Sequence, residues 1–428
     1  MSEILSVIIV RFPKPLAGSP RFHLIKESVT LSIFSGKNSN IISNIQGMIP
    51  FSDPFASYRA HKAEIDRAIQ HVLDSGWYVL GSEVEEFEKE FAEFHGNGSY
   101  AIGVANGTDA IALCLRSLGL RNDDEVITTS HTAVATVAGI EQAGCKPVFA
   151  DIDPATRCID PASVEKRITR NTKAIMPVHI YGQPCDMEAI CKLAQNYQLE
   201  VVEDCSQAHG AEIDGQKVGT FADISAYSCY PTKNLGGFGD AGMVTTNNPE
   251  LADKVRLLAN HGMRPRYYHQ TVGINSRLDS IQAAILGVKA TQLDTYGNQR
   301  AANAGLYHEM MSATGLSEIL TLPHQDERCG HVWNQFTVRV PNGQRDQVRS
   351  QLAEKGIGTE IYYPVPLHEQ ECYQYLGYEK GSLPETERAA GEVLSLPIFP
   401  ELHVSEIETV VDALGEALGC QDRLKQSA

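Results

Sequence analysis

The sequence predicts an α/β protein: a large domain with a mostly parallel sheet flanked by helices, then a smaller C-terminal α/β domain. Three observations predict it. Apolar strand-like runs alternate with amphipathic helical runs between about residues 100 and 230. Those strand-like runs lack strict in–out alternation, as expected when both faces of a strand are covered. At 428 residues and 43% apolar composition, the chain can fill two cores rather than one.

The elements follow in order. "HKAEIDRAIQHVLDSG" (61–76) has apolar residues at helical spacing and ends in glycine. "AIGVAN" (101–106) is a short apolar strand, and "GTDAIALCLRSLGL" follows it as a helix. "DEVITTS" (124–130) and "KPVFADI" (146–152) read as strands, with the helical "AVATVAGIEQAG" between them. "TKAIMPVHIYG" (172–182) is a strand, and "DMEAICKLAQNYQ" is an amphipathic helix with Met187, Ile190 and Leu193 in phase. "LEVVEDCS" (199–206) and "ISAYSCY" (224–230) are strands again. Residues 276–313 then read as one long helix leading out of this region. The expected division is an extension over 1–47, a large domain over 48–295 and a small domain over 296–428.

Composition narrows the partners. A formal net charge of -17 repels nucleic-acid phosphates, so an anionic substrate needs a local positive site. The ten cysteines are irregularly spaced with no CxxC pair, which gives no support to a metal centre and fits a reducing cytoplasm. No apolar run approaches the length of a bilayer span, so no membrane partner is expected. Residues 1–47 carry five Lys or Arg against two acidic residues, the reverse of the remainder. "MIPFSDPF" at Met48 reads as an ordinary domain opening, so the extension is expected to stand outside the working fold.

In open parallel sheets ligands bind beyond the carboxyl ends of the strands. Four such places carry reactive or anion-binding residue types. In "ANGTDA", Asn106, Gly107 and Thr108 end a strand and open a helix, whose free amides suit a phosphate. The same residues also read as an ordinary capped helix start. In "VVEDCSQAHGA", Asp204 ends a buried strand, where a carboxylate needs a cationic or strongly donating partner, with Gln207 and His209 just beyond. In "SAYSCYPTKNLGGFGDAG", Lys233 lies in a loop after a strand, near Ser228 and Tyr230. It is placed to form a Schiff base with an aldehyde, although most lysines are solvated surface residues. In "GINSRLDS", Asn275 and Arg277 precede a long helix, which Asn275 or Ser276 would cap.

Taken together, these blocks resemble the DegT/DnrJ/EryC1/StrS family of sugar aminotransferases, pyridoxal-phosphate enzymes of the aspartate-aminotransferase fold (fold type I). The resemblance runs from about Pro50 to the end and includes "SGWYVLGSEVEEFEKEFAEF", "PVHIYGQPCDM", "YPTKNLGGFGDAG" and "GINSRLDSIQAAIL". It implies a ping-pong transfer of an amino group, with glutamate as donor, to a nucleotide-linked keto sugar. The stretch after the lysine looks like the version in enzymes that aminate carbon 3 rather than carbon 4. Lys233 is then the Schiff-base lysine and proton shuttle, and Asp204 the partner of the pyridine nitrogen. Gln207 lies near the ring hydroxyl, and Gly107, Thr108 and Ser228 hold the phosphate. Asn275 is expected to reach the phosphate site of the other subunit of a homodimer. Ala133 stands where the family often has a ring-stacking aromatic, so His131 is expected to take that place. The stretch from Arg264 to His269 is a further candidate to meet the nucleotide diphosphate. Relatives on this scaffold include sugar dehydratases, in which a histidine replaces the lysine, and non-catalytic regulatory proteins. Lys233 opposes the first, and the intact set Thr108, Asp204, Ser228 and Lys233 opposes the second.

Overall fold

The computed structural model describes residues 47–96, 98–324 and 326–420. The expected extension, apart from Gly47, lies outside the described residues. The central sheet has seven strands in the order β1-β9-β8-β5-β4-β2-β3. These are β1 (Tyr100–Val104), β2 (Glu125–Thr129), β3 (Lys146–Ala150), β4 (Thr172–Ile175), β5 (Glu200–Asp204), β8 (Ile224–Ser228) and β9 (Gly242–Thr246). Between β5 and β8 lies a short hairpin, β6 (Glu212–Ile213) with β7 (Gln216–Lys217). β2, β3, β4, β5 and β8 pair in parallel, whereas β9 runs antiparallel to both β8 and β1. The expected fold class is therefore present, with β9 as an inserted antiparallel strand that sequence reading did not identify.

Both faces of the sheet are covered, which explains the missing alternation. Ile102 of β1, Ala226 of β8 and Val244 of β9 join a core with Ile111, Leu115, Val255 and Leu258 from the helices Gly107–Ser117 and Pro249–Ala259. Their neighbours Ala101, Tyr227 and Met243 turn to the other face and pack with Phe87, Phe91, Ala283 and Leu286 from the helices Ser82–His95 and Ser280–Ala290. Each fully buried side chain of this size contributes on the order of 1.5–3 kcal/mol.

Local signals set the element ends. Gly76 adopts φ 65° and closes the helix Lys62–Ser75. Asp186 accepts from the Ala189 amide at the start of the helix Met187–Tyr197, whose Met187, Ile190 and Leu193 are buried as their phase predicts. The long helix expected over 276–313 is two helices, Ser280–Ala290 and Leu293–Ala313. At the break the Thr291 hydroxyl donates to the Val288 carbonyl, and the Gln292 amide bonds the Lys289 carbonyl three residues back. Asn275 and Ser276 precede this start and do not cap it; Asp279 occupies the cap position.

Two more short strands, β10 (Cys329–Gly330) and β11 (Phe336–Arg339), follow, and β12 (Val393–Leu396) pairs antiparallel with β11. β10 joins the β6–β7 hairpin. A separate core gathers Tyr307 and Met311 of Leu293–Ala313, Phe336, Val338, Leu394, Leu396 and the C-terminal helix residues Ile407, Val410 and Leu414. Ile49 enters this core from the opposite end of the sequence, its amide bonded to the Gly356 carbonyl at 2.9 Å and its carbonyl to the Gly358 amide at 2.8 Å.

Candidate active site

The carboxyl ends of β1, β5 and β8 converge on a cleft of about 500 Å³, lined by Gly107, Thr108, Asp204, Gln207, Ser228 and Lys233 among others. Six of the eight residues singled out as site residues therefore meet in one place, although they span more than a hundred positions of sequence.

One corner of the cleft is an anion-binding cradle. Asn106 caps the helix Gly107–Ser117 by accepting from the Asp109 amide, which leaves the amides of Gly107 and Thr108 in the first turn free for a ligand. Glycine at 107 is required by packing, because a Cβ there would lie 2.6 Å from the Ser228 Cβ. Gly242 is required likewise, since its Cβ would lie 2.5 Å from the Asn106 carbonyl. The close approach of β1, β8 and β9 thus brings the Ser228 and Thr108 hydroxyls to the same helix start. Amide donors, two hydroxyls and a helix dipole are the donor set for a phosphate dianion.

Asp204 closes β5 and is nearly fully buried, 3% exposed. Its Oδ2 accepts from the Thr136 hydroxyl at 2.8 Å and its Oδ1 from the Ser206 amide at 3.1 Å. The preceding residue, Glu203, turns to the opposite face. It accepts from the amides of Gly219, Phe221 and Ala222 and from His179 Nε2, which together hold its carboxyl below its ordinary range despite burial. This anchor fixes the end of β5 from which Asp204 projects.

Lys233 follows β8, its amide bonded to the Tyr230 carbonyl at 2.8 Å. Burial of its amine lowers its pKa to about 8, and the charge of Asp204 resists that fall only in part. A free amine is thus accessible near neutral pH, as nucleophilic chemistry requires. His209 lies close by, fully buried, and its pKa falls to about 3 through burial and then through the charge of Lys233. It is a neutral ring at every working pH. Gln207 is held at both ends: Oε1 accepts from the Tyr181 amide at 2.7 Å and Nε2 donates to the Tyr363 hydroxyl at 3.3 Å.

Two expected site residues are not brought to this cleft. His131 is buried on the far side of its strand end, where Thr132, Ala133, Ala135 and Thr136 line the cleft instead. The Tyr181 hydroxyl spends its one proton on the Tyr362 carbonyl, so His131 Nε2–H donates to it at 2.7 Å. The chain bends at 130–132 after β2, and the His131 ring is buried edge-on to Tyr181 and Tyr363 rather than in the lining of the cleft. Asn275 is exposed and does not line the cleft of its own chain; its neighbour Ser276 accepts from the Ala105 amide at 3.1 Å, beside the cradle. Arg277 bonds Asn260, and Arg264 pairs with Asp253, while Tyr267 and Tyr268 stand in solvent outside the cleft.

Thr132, Thr136, Tyr181 and Tyr363 were missed by sequence reading. The threonines carry a local signal, their i, i+4 spacing at a strand-to-helix turn. Tyr363 carries none, because it arrives from the C-terminal part of the chain.

Residues 59–415 match the model of the DegT/DnrJ/EryC1/StrS aminotransferase family. The chain belongs to this family. It is a pyridoxal-phosphate-dependent aminotransferase. It is 45% identical over 368 residues to a pleiotropic regulatory protein of Geobacillus stearothermophilus, covering 86% of this chain and 98% of that one. It is 44% identical over 369 residues to the dTDP-3-amino-3,4,6-trideoxy-alpha-D-glucose transaminase of Streptomyces venezuelae, covering 86% and 96% respectively. Among solved structures it matches S. venezuelae DesV in complex with a ketimine intermediate, with a TM-score of 0.83, 43% identity, and 86% and 98% of the two chains covered. Among the described residues no helix is long and apolar enough to cross a membrane.

Proposed function

We propose that this aminotransferase converts a nucleotide-linked 3-keto sugar to the amino sugar, with Lys233 and Asp204 as its catalytic residues and glutamate as amino donor. The observation that carries the site assignment is the meeting of a low-pKa lysine, a buried carboxylate and an anion cradle in one cleft. The residues fit pyridoxal phosphate on chemistry alone. The cradle of Gly107, Thr108 and Ser228 suits its phosphate, and Asp204 suits a protonated ring nitrogen, for which a buried carboxylate is the natural partner. When bound, the cofactor supplies an aldehyde and an electron-withdrawing ring. The protein supplies the rest. With the cofactor bound, the neutral Lys233 amine would take and return the proton at the reacting carbon, Asp204 would keep the ring nitrogen charged, and Gln207, held by Tyr181 and Tyr363, would lie beside the ring.

The Streptomyces relative's name supports a dTDP-linked substrate aminated at carbon 3. A regulatory role, as the Geobacillus relative's name suggests, gives no use for a low-pKa lysine beside a buried carboxylate. We further propose a homodimer in which Asn275 completes the partner's phosphate site. In its support, Asn275 is exposed beside the cradle, and the run Trp77–Leu80, of which Val79 pairs with Asp279, leaves four large apolar side chains in solvent. All ten cysteines are free, which supports a reducing cytoplasm as the working compartment. A division of the chain after residue 295 is supported by the separate core built from Ala304 onward, to which Ile49 alone is added from the N-terminal side.

The test is a panel of 3-keto and 4-keto nucleotide sugars incubated with glutamate and followed by mass spectrometry. Amination of a 3-keto member is expected. Amination confined to 4-keto members overturns the carbon assignment, and no amination of any member overturns the substrate class.

A further inference from the structure

The Asp204 carboxylate is not held by its own strand alone. Thr136 stands in the first turn of the helix Val134–Gln142, and its hydroxyl is 2.8 Å from Asp204 Oδ2. The Thr132 hydroxyl is 3.0 Å from the Thr136 hydroxyl, and all three residues line the cleft. The direction of both bonds follows from the donor inventory. A carboxylate only accepts, so the single proton of the Thr136 hydroxyl points at Asp204. The Thr136 oxygen is then the acceptor in the second bond, and Thr132 is the donor.

We infer that Thr132 and Thr136 form a two-hydroxyl relay that orients Asp204 and stabilises its charge, making both positioning residues for the cofactor ring. This rests on the assignment of Asp204 to the ring nitrogen. Three facts carry it. All three residues are buried, Thr132 and Thr136 each 1% exposed and Asp204 3%, so no solvent molecule substitutes freely for a lost hydroxyl. A bond to a charged acceptor is about twice as strong as a neutral one, and a donor that itself accepts a bond is strengthened further. The remaining oxygen is held by the Ser206 amide, so the carboxylate is gripped from the turn after β5 and from the helix start, and cannot rotate without breaking one of these bonds. Helix position is therefore coupled to ring electronics through a single side chain.

The test uses the full chain with Thr136→Val, Thr136→Ser, Thr132→Val and Asp204→Asn. Valine keeps the shape of threonine and removes the donor. Three quantities are read: the Kd of the apoprotein for pyridoxal phosphate, the pH titration of the bound cofactor's visible absorbance, and kcat and KM for the keto sugar. Thermal unfolding confirms that each variant is folded. Thr136→Val is expected to lower kcat by roughly 10-fold or more, from the loss of one bond to a charged group. It also weakens cofactor binding and displaces the absorbance titration, while the sugar KM stays within about twofold. Thr132→Val moves the same readouts in the same direction by about two- to threefold, since it removes only the reinforcing bond. Thr136→Ser restores them. The relay is overturned if Thr136→Val matches wild type in Kd, titration and kcat while Asp204→Asn is impaired. If Asp204→Asn also matches wild type, the assignment of Asp204 itself fails, and the two failures are told apart by that variant.

Discussion

Lys233 offers a prediction that can be worked through from its surroundings. Burial brings its pKa from 10.5 to about 8, so at neutral pH the folded protein carries about 300-fold more free amine at this position than an ordinary lysine would. The perturbation is pH. Apoprotein stripped of cofactor is mixed with pyridoxal phosphate between pH 6 and 10, and covalent capture is followed by visible absorbance in a stopped-flow instrument. The capture rate is expected to rise about tenfold per pH unit below 8 and to level off above it, because only the neutral amine attacks. Borohydride then fixes the label, and peptide mapping locates it on Lys233; Lys233→Ala takes up no label. The sign follows from the cause. Burial disfavours the charged form, so the midpoint lies below that of free lysine. A capture rate still rising steeply at pH 10 would refute the reasoning, as would a label on another lysine.

Asp204→Asn is expected to retain bound cofactor but to slow the half-reaction with glutamate by on the order of 100-fold or more, read by single-turnover absorbance; a near-normal rate excludes the carboxylate from catalysis. Gly107→Ala drives a methyl group against Ser228, and a loss of roughly 1–3 kcal/mol in unfolding free energy is expected together with weaker cofactor binding. Denaturant unfolding and a cofactor titration measure the two effects. Lys233→Ala and Asn275→Ala subunits should each be poor alone, yet co-expressed mixtures should approach half of wild-type activity per mixed dimer, because one site then carries neither lesion. No recovery, with mixed dimers verified by native mass spectrometry, removes Asn275 from the partner's site. Ile49→Ala is expected to cost about 2–4 kcal/mol by denaturant unfolding, since Ile49 is 7% exposed within the C-terminal core, and a cost near zero would show that the segment before Pro50 merely lies on the surface.

Sequence by itself determined the elements whose signals are local. Apolar runs of five residues separated by helical periodicity specify β1, β2, β3, β5 and β8, because period and length are properties of neighbouring residues. Capping chemistry at Asn106 and the glycine at 76 mark helix ends for the same reason. Parallel strands put their carboxyl ends at one edge, so Thr108, Asp204, Ser228 and Lys233 could be placed together from their positions after strands alone. Other features depend on residues that meet only after folding. β9 was hidden because it is placed by insertion between β8 and β1, and β1 lies far earlier in the sequence. The break at Thr291 depends on one hydroxyl competing for a carbonyl, a choice between two local bonds that periodicity does not register. His131 has the composition of a stacking residue, but Tyr181, fifty positions on, captures its ring and turns it inward. Tyr363 reaches Gln207 from 156 residues away, and Thr136 reaches Asp204 across 68. A hydrogen bond between distant residues leaves no periodic trace in either segment, so the sequence names the candidate groups while only the tertiary structure decides what orients them.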